Sequence, residues 1–126
     1  MKKLLKKNSE LIAMMHQLEP VLSQRNRIGY AAARNFRILS DTLIEYNRFK
    51  MELIEKYGEP DKAEDGTELP TVSIKVGSPN FKLFCDEMAP YNNMEHEVEL
   101  MTVKFEDVID VLSGEEILGI DWMLEE

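Results

Sequence analysis

The sequence predicts an α+β fold in which a long antiparallel helical hairpin is followed by a small antiparallel β-hairpin with short helices. Three observations carry that expectation. Apolar residues recur at helical spacing through most of the first half, they alternate at strand spacing twice in the second half, and Gly, Pro and Asn-rich breaks separate these runs. The 126 residues suit a single domain, 1–126, enough to bury roughly two thirds of the unfolded surface in one core. Within it, 1–57 reads as a basic helical hairpin and 58–126 as an acidic β-hairpin with short helices.

The first helix starts near Asn8 or Ser9, either of which can cap it, and carries Leu11, Met15, Leu18 and Leu22 as one apolar stripe. Pro20 predicts a kink or an early stop, because it removes a backbone donor and crowds the preceding turn. After a connection near Ser23 to Arg27, a second helix reads from Ile28 to Tyr57. Ala32, Phe36, Leu39, Leu43, Tyr46, Leu53 and Tyr57 share one face of it, widened by Phe49 and Ile54. Such a helix is roughly 45 Å long, more than the first helix covers. The far end, Tyr46, Phe49, Leu53 and Tyr57, is therefore the candidate protein interface, to be covered by the rest of the chain, a second copy or a partner. Gly58 fits a left-handed C-cap.

Glu59 to Pro70, with two prolines and Asp65-Gly66, reads as a surface loop. Thr71 to Val76 alternates as a half-buried strand with Val72, Ile74 and Val76 inward. Ser78 followed by Pro79 starts a short helix to about Ala89 that buries Phe81, Phe84 or Cys85, and Met88; Pro90 and Asn92-Asn93 stop it. Glu95 to Phe105 reads as a second strand whose apolar phase changes at Leu100 and Met101, the signature of a bulge. A short apolar segment, Val108 to Leu112, precedes Ser113, which caps a last helix through Ile117, Leu118, Trp122 and Met123.

Charge is the most informative compositional feature. The net is −9, but residues 1–57 hold 11 Lys/Arg against 6 Asp/Glu, a net of +5, whereas residues 58–126 hold 4 against 18, a net of −14. The simplest account sets a basic layer against an acidic one; the sharper accounts turn one of them outward, toward phosphates or toward a basic protein. No run of residues has the length of a membrane span. Lys2, Lys3, Lys6 and Lys7 precede too short an apolar stretch for an export signal; they read as a frayed, solvated start, with an addition to a phosphate-binding face as the alternative. One cysteine, Cys85, cannot form an internal disulfide, and the expected location is cytoplasmic.

No residue set argues for catalysis, cofactor or metal. Cys85 with His16 or His96 has the elements of a nucleophile and base, but a cysteine beside apolar helix positions is ordinarily an inert buried thiol. His96, Glu97 and Glu99 alternate along a strand, so the histidine points away from both carboxylates. The glycines are scattered and cradle no phosphate. For nucleic acid the candidates are Arg25, Arg27, Arg34 and Arg37, near the helical turn, with Arg27 and Arg34 on one helical face.

Ala31-Ala32-Ala33-Arg34-Asn35 with Phe36 and Leu39, Glu45-Tyr46 with Arg48, Leu53-Ile54-Glu55-Lys56-Tyr57-Gly58-Glu59, Asp65-Gly66, Glu97-Val98-Glu99-Leu100 and the closing Ile117 to Glu125 resemble small uncharacterised proteins encoded by tailed phages and prophages of Gram-positive bacteria. The resemblance runs over most of the chain. It departs at Met1 to Lys7, at Pro20 and at Ser78 to Asn93. It implies a viral protein of the bacterial host cytoplasm, not an enzyme, and it transfers no site residue. With the composition, it leads to a non-catalytic protein-binding module, either a phage accessory factor or an inhibitor of a host defence or nucleic-acid enzyme. Its partner is a host or phage protein or a second copy; a nucleic-acid-binding accessory role on the arginine face is the alternative.

Overall fold

Side-chain caps set three of the six α-helix starts in the computed structural model, which describes residues 1–125. In chain order the elements are β1 (Lys2–Lys7), α1 (Asn8–Leu18), α2 (Arg27–Thr42), α3 (Ile44–Tyr57), β2 (Glu59–Lys62), β3 (Glu68–Ser73), α4 (Pro79–Asn92), β4 (Glu95–Leu100), α5 (Phe105–Val108) and α6 (Gly114–Gly119). Asn26 Oδ1 accepts the Ile28 and Gly29 amides at 3.0 and 3.2 Å to open α2. Ser78 Oγ accepts from Phe81 at the head of α4, and Ser113 with Glu116 closes a reciprocal capping box on α6. Pro20 sits in a single 3₁₀ turn, Glu19–Val21, directly after α1 ends.

The fold is mixed α+β with two small antiparallel two-stranded sheets, rather than a long helical hairpin followed by a β-hairpin. Charge divides the sequence after residue 57; packing divides it into one unit of 1–43 with 94–126 and another of 44–93. The expected thirty-residue helix is two helices, because Leu43 leaves helical geometry (φ −91°, ψ 2°). Thr42 Oγ1 donates back to Ile38 O at 2.8 Å, a bond that bends helices, and the Leu43 amide reaches both Leu39 O and Ser40 O.

In the first unit β1 pairs antiparallel with β4, Lys3 opposite Glu99, Leu5 opposite Glu97 and Lys7 opposite Glu95. The N-terminal lysines therefore form a strand, not a frayed end: opposite charges across a ladder favour pairing with the acidic strand. Helix α2 packs on β4, and α1 packs on α2, β1 and α6. Leu11, Leu18, Ile28, Leu39, Leu43, Leu100, Val108, Ile120 and Met123 form the core, with Ala31 and Ala32 fully buried. Asn35, 0% exposed, donates to Met101 O at 3.0 Å and accepts from Met101 N–H at 2.7 Å. The change of apolar phase at Met101 is thus not a bulge. The strand ends at Leu100, and the Asn35 amide takes the next peptide in place of a neighbouring strand; Val103 then forms a parallel bridge to Leu124.

In the second unit β2 and β3 pair with each other around a turn at Asp65-Gly66, where Gly66 has φ +87°. The two strands read from the sequence do not pair together: β3 takes β2 and β4 takes β1. The segment Glu59 to Pro70, expected as loop, supplies β2 and the start of β3. Val72 and Val76, expected inward, are exposed: Val72 lies on a hairpin solvated along both strands, and Val76, 83% accessible, lies beyond the end of β3 in the turn before α4. Helix α4 runs through Pro90 to Asn92 and packs on α3, as does β3. Gly58 does not adopt a left-handed conformation. Its reason is proximity: a Cβ there would lie 2.5 Å from Val72 Cγ1 and 2.4 Å from Ile54 O.

Candidate functional site

Side chains on α2 advance about 100° per residue, so Ile28, Ala31, Ala32, Asn35 and Leu39 fill one side and Arg27, Tyr30, Arg34 and Arg37 the other. The structure follows this division: the first set is buried and the second exposed, Tyr30 at 60%. Arg25 is exposed just before the helix, and Asp41 closes the stripe at its far end. Among the described residues none of Arg25, Arg27, Arg34 and Arg37 has an ion-pair partner. The basic layer is thus divided: the lysines of β1 lie along the acidic strand β4, while the arginines face water. Tyr30 was missed in the sequence, although its helical position places it among the arginines.

The opposite charge collects in the same unit. From Phe105 to Glu125 there are seven carboxylates and no Lys, Arg or His. Glu106, Asp107, Asp110, Glu115 and Asp121 have no ion-pair partner among the described residues. Within this acidic stretch Phe105, Ile109, Val111 and Leu118 are exposed. Ile109 N–H bonds to Phe105 O at 3.1 Å, so Phe105 and Ile109 lie one helical turn apart, with Glu106 on the same turn and Asp110 just past its end. Val108 and Leu112 anchor the turn inward, 0% and 7% exposed. Phe105 was read as the end of a strand, which hid this ridge.

The candidate interface of Tyr46, Phe49, Leu53 and Tyr57 lies inside the second unit. Tyr46 and Leu53 are buried. The Tyr46 hydroxyl donates to Asn92 Oδ1, and burial raises its pKa above the ordinary tyrosine value. Phe49 stacks on Tyr91 with ring centroids 4.1 Å apart, and the Tyr57 hydroxyl donates to Glu87 Oε1 at 2.6 Å. Lys56 lies 3.5 Å from the same carboxylate and 5.0 Å from the Tyr57 ring centre. Its pKa is raised, first by the Tyr57 side chain and then by the Glu87 charge. The stretch does need covering, and α4 with β3 of its own chain covers it.

Cys85, expected among buried residues, is exposed on α4 in the second unit, whereas His16 and His96 belong to the first. Among the described residues no group of three or more His, Cys, Asp or Glu is arranged to hold a metal ion. On the hairpin, Asp61 accepts from Ser73 Oγ and, at 2.7 Å, from Thr71 Oγ1, which lowers its pKa below the usual carboxylate value, Ser73 contributing most. Depressions of about 410 Å³ beside Met1, Thr102 and Leu124, and about 250 Å³ beside Glu10, Met14 and Trp122, open to solvent. Trp122 Nε1 donates to Gln17 Oε1 at 3.0 Å on the rim of the latter. No helix of the described residues is long and apolar enough to cross a membrane. No protein-family model, curated protein or solved structure matches the chain.

Proposed function

We propose that the protein is a non-catalytic protein-binding module of phage type, acting in the bacterial host cytoplasm without a cofactor. It serves as a phage accessory factor or as an inhibitor of a host defence or nucleic-acid enzyme. One observation supports this most: the Phe105–Glu125 stretch exposes apolar side chains among carboxylates that have no basic counterpart. Apolar anchors rimmed by one sign of charge suit a partner carrying the opposite sign, which they attract over distance and hold by burial. The partner is then a basic host or phage protein. The test is capture of partners on the tagged chain from a bacterial lysate, with a nuclease wash. A basic protein that survives nuclease, is released by raised salt and is lost with Phe105→Ala/Ile109→Ala supports the reading. Retention independent of salt or of those residues overturns it.

A second reading has its own support in the exposed arginines, unpaired among the described residues, and in Tyr30, the composition of a surface that binds phosphates and stacks a base. It makes the protein a nucleic-acid-binding accessory factor. Replacing Arg27 and Arg34 with Ala is expected to weaken a gel shift at low salt, and absence of any shift by the unaltered chain removes this reading.

A further inference from the structure

We propose that the Arg27, Tyr30, Arg34 and Arg37 face of α2 docks on the Phe105–Asp110 turn of a second copy of this chain. The α2 face is an unpartnered helix face: its opposite side is fully committed to the core, and among the described residues none of its arginines has an ion pair. What it needs is a surface that is acidic and apolar at its centre. The chain itself carries one. Arg34 and Arg37 share one face of α2, three residues apart, and Glu106 and Asp110 lie four residues apart on α5 and in the turn that follows it, so a pair of guanidinium groups is offered a pair of carboxylates. Tyr30 supplies an exposed ring to meet Phe105 and Ile109, each about half exposed. A polyanion is the poorer occupant, because the net charge of −9 repels it over distance while local complementarity favours the protein's own acidic turn.

Face and turn are different surfaces, so the contact is head-to-tail. Each added copy leaves one free face and one free turn, and the assembly grows as an open chain or closes into a ring. The inference stands apart from the proposed foreign partner, although both use the same acidic turn. A foreign partner bound there would compete with the second copy and dissociate the assembly.

The test is sedimentation velocity on the nuclease-treated full chain across protein concentration, at low and at high salt. Mass is expected to rise with concentration at low salt and return to monomer at high salt. Arg34→Glu/Arg37→Glu makes both surfaces acidic, and Glu106→Lys/Asp110→Lys makes both basic. Each variant alone is expected to associate on the order of a hundredfold more weakly. An equal mixture is expected to associate again, because every contact in it joins opposite charges. Circular dichroism checks that both variants fold; if either does not, Arg34→Gln/Arg37→Gln and Glu106→Gln/Asp110→Asn replace them, each expected to weaken association about tenfold. An unaltered chain that stays monomeric at low salt overturns the proposal, as does a reversed variant that associates like the unaltered chain. Association that disappears on nuclease treatment also overturns it and moves the arginine face to nucleic acid.

Discussion

Asn35 has an amide whose two ends match a peptide group, and it is held with no exposure against the first peptide beyond β4. Asn35→Ala removes both ends at once and strands the Met101 N–H and C=O in a part-buried site. The expected loss is about 2–4 kcal/mol, each orphaned group costing its desolvation, measured by urea unfolding followed through Trp122. Asn35→Asp is not expected to rescue, since a carboxylate cannot donate to Met101 O. Asp61 makes a pH prediction. Its pKa is lowered in the folded chain by Ser73 and Thr71, so its contribution is complete above the unfolded value of about 3.9. That contribution is lost as pH falls through the lower folded value. The Thr71 and Ser73 resonances should therefore hold steady down to about pH 4 and shift together with Asp61 below it; a change already under way near neutrality would contradict the assignment.

At the scale of elements, close approach and charge register decide what pairs with what. The α3–β3 contact passes over Gly58, where an added Cβ would press on Val72 and on backbone oxygens. Gly58→Ala is expected to cost about 1–3 kcal/mol, the ordinary range for overpacking, with faster amide exchange in α3 and β3 as the readout. The β1–β4 ladder sets Lys3 and Lys7 opposite Glu99 and Glu95. Reversing either lysine to Glu places like charges across the ladder and should cost about 0.2–1 kcal/mol. Added salt should return part of that loss, which thermal melts at two ionic strengths would show.

For the whole molecule, the insertion of 44–93 between 43 and 94 is the organising fact. The first unit holds most of the buried apolar residues, while Tyr46, Leu53 and Met88 form the small buried set of the second. The single tryptophan, Trp122, lies in the first unit. Unfolding followed by its fluorescence is therefore expected not to coincide with unfolding followed by far-UV circular dichroism, which reads both units. Asn35→Ala should move the fluorescence midpoint and leave amide protection in the β2–β3 hairpin unchanged; Gly58→Ala should do the reverse. Coincident transitions that every substitution shifts together would mean that the units unfold as one.

Local chemistry was legible in the sequence. Ser78 with Pro79, Ser113 with Glu116, the stop at Pro20 and the Asp65-Gly66 turn involve neighbours within a few residues, and each sits where its chemistry places it. The burial of Leu11, Leu18, Ala32, Leu39 and Leu43 followed from helical period alone. Part of the candidate surface was also legible, since the arginines share a helical side and the excess of carboxylate is written in the composition. The break at Leu43 was not legible, because Leu39, Leu43, Tyr46 and Leu53 stay in helical phase across it and neither glycine nor proline marks it. Nor was strand pairing: β1 and β4 are joined by register and charge across most of the chain, and a period of two says which residues alternate without saying which strand lies alongside. Asn35 reads in the sequence as an ordinary polar residue, and Phe105 as the end of a strand. Only the packed chain, which brings the Met101 peptide to Asn35 and turns the backbone after Val103, makes one a buried strand terminator and the other part of an exposed acidic ridge.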